Sequence, residues 1–309
     1  MSTAEVDPSI KVLLDAMAGA APMDFAAMGA PNVRALFKGL AFEGAKAECA
    51  AVTDQEVPSA AGAIPVRVYR PTDANDLGVL IWYHGGGWVI GDLDTTDATA
   101  RELATGAGCV VVSVDYRLAP EHAFPAAVDD AVTVLDWVVA HATDVGGDAA
   151  RIAVGGDSAG GNLAAVAAIH ARDNGIGLRH QLLVYPATDF AGEHESRTTN
   201  GQGYFLTKDA MDWFEECYVG AQDRTDPRLS PIFAESLAGV APAHVLTAGF
   251  DPLRDEGRAY AAALEAAGVA VEDDRYESMI HGFFGMGAIT PVAGEAIAKA
   301  AKSLAAALA

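Results

Sequence analysis

Basic side chains are scarce in this chain. Its 309 residues hold 20 Lys and Arg, six of them Lys, against 42 Asp and Glu, and the formal net charge is −22. A nucleic-acid partner needs a basic footprint to neutralise phosphates, and an anionic membrane surface asks for the same, so both classes of partner are excluded. Cysteine is rarer still. Cys49, Cys109 and Cys217 are odd in number and form no C-x-x-C pair, which argues against a disulfide framework or a zinc site and predicts a reducing compartment. Long apolar runs are missing too: none approaches the ~18 residues of a membrane span. The opening "MSTAEVDPSI" has no basic stretch followed by an apolar one, so the reading expects no signal peptide and a cytoplasmic protein.

What the chain does have is apolar residues, 51% of the total, enough to bury a large core in one α/β domain. Asp7-Pro8 reads as an N-cap with a first-turn proline, followed by a stripe of Ile10, Leu13, Leu14 and Met17. Pro31 precedes a second stripe, Val33, Leu36, Phe37 and Leu40. Beyond residue 51 the pattern changes. "IPVRVYR" (64–70) alternates as a strand does. Val/Ile/Leu-rich runs follow at 79–84, 109–116, 151–156, 181–186, 243–250 and 269–276. Helical segments such as 125–142, 159–173 and 252–267 lie between them. Continuous apolar strands separated by helices predict a mostly parallel sheet covered on both faces. Residues 190–230 interrupt the rhythm with a Gly-rich stretch and a helix from Thr207 carrying Met211, Phe214 and Tyr218. The expected organisation is a catalytic domain over 51–309 and a helical cap built from 1–50 and 190–230.

One corner of this pattern carries chemistry. In "RIAVGGDSAGGNLAAV" a strand becomes a helix at Gly156-x-Ser158-x-Gly160. That context suits a nucleophile elbow, where a strained serine projects above the sheet and a Cβ at either flanking glycine would clash. A phosphate-binding G-x-G-x-x-G would need glycine where Asp157 stands, and no G-K-[ST] follows. A serine needs a base, and the base needs an orienting acid. With the order Ser, acid, His, only His281 of the eight histidines lies beyond residue 251, in "MIHGFFGM" after the last strand. Asp251 in "GFDPLRDEG" follows the second strand beyond the serine and also suits an N-cap; Asp189 is the alternative acid. Asp255 and Glu256 lie inside the next helix, and His84 reads as structural. "YHGGGW" (83–88) ends an earlier strand with three unshielded glycine N–H groups, able to hold a developing oxyanion together with Ala159 N–H.

"HGGGW", "DYRLAPEHAFPAA", "GDSAGGN", "DPLRDEG" and "HGFF" occur in order between residues 50 and 285. Together they resemble the bacterial hormone-sensitive-lipase-like esterases, of the α/β-hydrolase fold. The resemblance implies a carboxylic ester hydrolase acting on a small-molecule ester without cofactor or metal, with Ser158 as nucleophile, His281 as base and Asp251 as acid. It implies oxyanion donors at Gly85, Gly86 and Ala159. Homodimers are frequent in that family, and no residue here decides the oligomeric state. Plant gibberellin receptors are similar but lack the histidine, so His281 separates an enzyme from a non-catalytic receptor. An amidase, thioesterase or lactonase would use the same triad.

Overall fold

Alternation along the central strands sets the layers. Among the described residues eight strands form one sheet in the order β1-β2-β4-β3-β5-β6-β7-β8. They are β1 Ala51–Val57, β2 Ile64–Arg70, β3 Leu77–Tyr83, β4 Val110–Val114, β5 Gly147–Asp157, β6 Leu178–Val184, β7 Ala243–Phe250 and β8 Val271–Ile280. β1 pairs antiparallel with β2 and β2 antiparallel with β4; every other pairing is parallel. The computed structural model describes residues 5–19, 23–40, 42 and 44–309. The first four residues of the expected leaderless start, and residues 20–22, 41 and 43 of the expected cap, lie outside the described residues.

The helices are α1 Pro8–Met17, α2 Phe25–Met28, α3 Ala30–Gly39, α4 Asp97–Ala107 and α5 Ala126–His141. They continue with α6 Ala159–Asp173, α7 Glu195–Thr199, α8 Lys208–Tyr218, α9 Arg254–Ala266 and α10 Pro291–Ala307. Val79, Ile81, Val110, Val112, Ile152 and Val154 face the apolar sides of α5, α6 and α9. Their neighbours Leu80, Trp82, Val111 and Ala153 face α4 and α10. Side chains two apart share a face, so both faces of the sheet are apolar and both are covered by helices. None of the described helices is long and apolar enough to cross a membrane.

The two segments outside this sandwich divide differently from their sequence stripes. Asp7 caps α1 as expected, its carboxylate accepting from Ser9 N–H at 2.9 Å. Yet α1 lies with the α4/α10 layer: Ile10 is fully buried there and Asp7 N–H donates to Ser278 O at 2.9 Å. α2, α3 and α8 gather on the other side through Phe25, whose ring lies 5.4 Å from Trp213 and 6.2 Å from Phe37. α7 packs on α9. Arg197 ties it to α9 by donating to Glu256 Oε2 and to α8 by donating to Glu215 Oε1, each at 3.0 Å.

Candidate active site

The site assembles where four strands end. β5 ends at Asp157, and Ser158 turns the chain at φ 55° and ψ −117°, a region that L residues seldom adopt. The turn is forced by close approach: a Cβ on Gly156 would overlap the Gly160 carbonyl, and one on Gly160 would overlap that of Tyr83. Ser158 N–H is anchored on Val184 O at 2.8 Å. β7 and β8 finish side by side, Phe250 paired with Ile280, so their next residues, Asp251 and His281, emerge together. His281 Nδ1–H donates to Asp251 Oδ2 at 2.8 Å, and the Ser158 hydroxyl lies 2.9 Å from His281 Nε2. With Nδ1 protonated against the carboxylate, Nε2 is the free acceptor for the serine proton. Asp251 is fully buried; its Oδ1 accepts Leu253 N–H at 2.7 Å. It therefore caps the turn rather than the helix, which begins two residues after Pro252.

The alternative acid is elsewhere. Asp189 Oδ2 lies 3.0 Å from His194 Nε2, and Oδ1 accepts the N–H groups of Ala191 and Gly192. Asp255 pairs with Arg254 and Ser196, and Glu256 with Arg197 and Thr188. His84 is structural: its ring stacks on Tyr116 at 4.3 Å, and Nδ1 donates to Gly85 O at 2.7 Å. Burial holds His84 below the ordinary imidazole range.

Gly85 requires a correction. Its N–H, expected to serve an oxyanion, donates instead to Asp157 Oδ1 at 2.8 Å. The chain then swings through Gly86 at φ 120° and Gly87 at φ 58°. Among the described residues no hydrogen bond uses the N–H of Gly86, Gly87 or Ala159. Sequence reasoning also passed over Asp157 itself, whose signal was its place beside the serine. Burial pushes its carboxyl up to about 6.

The profile of a family described as having the alpha/beta hydrolase fold matches residues 80–285. The chain belongs to the α/β-hydrolase family. Carboxylic ester hydrolase LipN of Mycobacterium tuberculosis is 50% identical over 243 residues, which are 76% of this chain and 65% of that protein, just under two thirds of its length. Esterase LipI of the same species is 45% identical over 251 residues, 79% of this chain and 78% of that one. The solved structure of ester-hydrolase EH1AB1 from the metagenome of Lake Arreo is 44% identical with a TM-score of 0.92, covering 97% of this chain and 98% of that chain. The resemblance to bacterial hormone-sensitive-lipase-like esterases is borne out, and this α/β hydrolase is a carboxylic ester hydrolase.

In this hydrolase a cavity of about 570 Å³ opens beside the serine, bordered by Gly85, Gly86, Asp157 and Gly282. Arg34, Phe37 and Leu40 from the α3 segment, with Phe42 and Phe205, form much of its wall. The wall is less apolar than the sequence stripes suggested, because Lys38, Asp92, Asp94 and Asp115 also line it. Phe214 and Tyr218 do not; they pack against the glycine turn and Trp88, the Tyr218 and Trp88 rings stacked at 4.6 Å. Among the described residues one group has metal-type side chains in reach of one another, His244, Glu272 and Asp274. It sits near the opposite ends of β7 and β8, and Lys299 Nζ already bonds Asp274 and lies 3.5 Å from Glu272.

Proposed function

We propose that this α/β hydrolase cleaves short- to medium-chain acyl esters with Ser158 as nucleophile, His281 as base and Asp251 as acid, through an acyl-enzyme. The observation that carries the reading is the unbroken line from Ser158 Oγ to His281 Nε2 (2.9 Å) and from His281 Nδ1 to Asp251 (2.8 Å). Ser158 Oγ attacks the ester carbonyl while its proton passes to Nε2, and the carbonyl oxygen becomes an oxyanion. The N–H groups of Gly86, Gly87 and Ala159 receive that charge, an electrostatic contribution in which one lost donor typically costs ~3 kcal/mol. Collapse of the intermediate breaks the bond to the alcohol oxygen, which takes the proton from His281. Water then repeats the sequence on the acyl-serine, releasing the acid and restoring the hydroxyl. Asp251 holds the ring in the tautomer both halves require and stabilises the imidazolium.

Of the two segments expected to form a cap over the catalytic domain of 51–309, the α3 segment and Phe205 take that place, a reading supported by Arg34, Phe37, Leu40 and Phe205 on the cavity wall, while α1 and α7 pack elsewhere. The cavity volume falls within the ~300–1,000 Å³ of small-molecule sites, which suits a modest acyl group. Three free cysteines support the cytoplasm as its compartment. The test is labelling with a fluorophosphonate and mapping the adduct by mass spectrometry. Ser158 should carry the label, and Ser158→Ala should lose both label and ester turnover while remaining folded. An adduct on any other residue, with a fully active Ser158→Ala, would overturn the assignment. A substrate panel on the same preparation ranks esters against amides, thioesters and lactones.

A further inference from the structure

The acid of the site stands on a turn that the sheet does not hold. The ladder between β7 and β8 runs in register as far as Ala248 and Tyr276, then shifts before Phe250 pairs with Ile280. Gly249 lies at the shift, and its backbone comes so near β8 that a Cβ there would overlap the Glu277 carbonyl. The carbonyls on the two sides of Phe250, those of Gly249 and Asp251, have a shared side-chain partner from another segment. Asn200 Nδ2 donates to both, at 3.1 Å and 3.0 Å. Arg254 adds a bond to each, Nη1 reaching Gly249 O at 3.3 Å and the backbone N–H reaching Asp251 O at 3.1 Å. Asn200 is the residue that joins the two carbonyls from outside the turn, and it is only 6% exposed.

Asn200 follows α7, and α7 makes a second attachment to the same turn. Ser196 Oγ donates to Pro252 O at 2.8 Å and accepts Asp255 N–H at 3.2 Å, while Ser196 N–H donates to Asp255 Oδ2 at 2.8 Å. Ser196 is fully buried. Thus the carbonyls of 249, 251 and 252 are all bonded by side chains from one five-residue helix and its C-cap. That helix belongs to the 190–230 excursion. Its place is against the acid turn, not over the cavity.

We propose that Asn200 is a positioning residue for Asp251: it fixes the β7–α9 turn so that Oδ2 meets His281 Nδ1 while Oδ1 stays on Leu253 N–H. The proposal rests on the reading of Asp251 as the acid. A carboxylate that must orient a ring works only within a narrow range of position, and partners one bond removed supply that constraint. Asn200 touches neither substrate nor the reacting atoms. Its loss acts on the imidazole through Asp251.

The experiment compares Asn200→Ala, Asn200→Ser and Asp251→Asn with the native enzyme on a p-nitrophenyl butyrate series. Asn200→Ala should lower kcat by about 10- to 100-fold with KM changed less than about twofold, the range expected when a functional group loses its supporting hydrogen bonds. Asn200→Ser keeps one donor and should fall between native and Asn200→Ala. The low-field proton resonance of the His281 Nδ1–H shared with Asp251 should move or broaden in Asn200→Ala, which loss of packing elsewhere would not do. Should Asn200→Ala not fold, the Asn200→Ser enzyme carries the same two readouts. Native kcat and an unmoved resonance in a folded Asn200 variant, with Asp251→Asn inactive, overturn the proposal alone. A fully active Asp251→Asn overturns the acid assignment beneath it.

Discussion

Asp157 stands between Ser158 and the glycine turn, and its charge is set by where it sits. Its Oδ1 holds Gly85 N–H at 2.8 Å, which commits that donor and leaves the N–H groups of Gly86 and Gly87 without a hydrogen-bond partner among the described residues. Burial, the largest influence, pushes its carboxyl up to about 6, with the Gly85 N–H and His281 pulling the other way. A carboxyl raised in the folded state favours folding most when protonated. Its contribution is fully present below the unfolded value of ~3.9 and is lost as pH rises through about 6. Asparagine in its place keeps the oxygen acceptor and removes the charge. Asp157→Asn should therefore gain on the native protein, by a few degrees in Tm, between pH 5 and pH 8. Scanning calorimetry at the two pH values checks this, and a difference that does not change with pH removes the argument. Such a variant also tests the pin separately from the charge, since the Gly85 N–H still finds an acceptor.

At the scale of elements, α3 links the cavity to the glycine turn. Arg34 Nε donates to Val89 O at 2.7 Å and Nη2 to Ala119 O at 2.8 Å, and the guanidinium also pairs with Glu121. One turn further on, Phe37 lines the cavity. Each methylene of an acyl chain buried there contributes ~0.8 kcal/mol, close to fourfold in kcat/KM, until the chain meets the wall. Rates on p-nitrophenyl esters should rise from acetate to a short or medium chain and collapse at palmitate. Phe37→Ala should move the optimum toward longer chains; an unchanged profile, or native hydrolysis of long-chain triglycerides, argues against this wall. Which elements form was legible where one signal dominates: Asp7-Pro8 for α1, the Val runs for β3 and β4, Thr207 for α8, whose hydroxyl accepts Ala210 N–H at 3.2 Å. The chain order of Ser158, Asp251 and His281 was legible for the same reason. What a stripe packs against was not. Ile10, Leu13 and Leu14 announce an apolar face, and periodicity is silent on whether it covers a cavity or joins α4 and α10. β1 went unread because "AVTDQEV" is a largely polar edge strand with one buried side chain, Val57. The Gly85 donor was misread because three glycines in a row do not encode which peptide plane faces which acceptor. Asn200 left no signal, since its partners are carbonyls more than 40 residues away.

Across the whole molecule the shortage of cations becomes a pattern of sharing. Lys38 lies between Asp92 and Asp94, at 2.7 Å and 2.9 Å. Arg67 serves Asp54 and Asp94, and Arg197 serves Glu215 and Glu256. With 42 acids and 20 bases, sharing still leaves a net charge of −22. The two populations respond differently to salt. Paired charges at contact lie well inside the Debye length of ~8 Å at 0.15 M, and exposed pairs are worth only ~0–1 kcal/mol each. Repulsion among the excess carboxylates acts over longer distances and is what counterions screen best. The buried pair of Arg197 with Glu256 is largely beyond their reach, so the tie between α7 and α9 persists while surface repulsion is relieved. Screening should remove more destabilisation than stabilisation. The Tm is therefore expected to hold or rise between low and about 1 M NaCl. Replacing NaCl by KCl should give the same curve, since the effect is one of screening and not of a bound ion. A Tm that falls steadily with either salt would show that the contact pairs outweigh the repulsion.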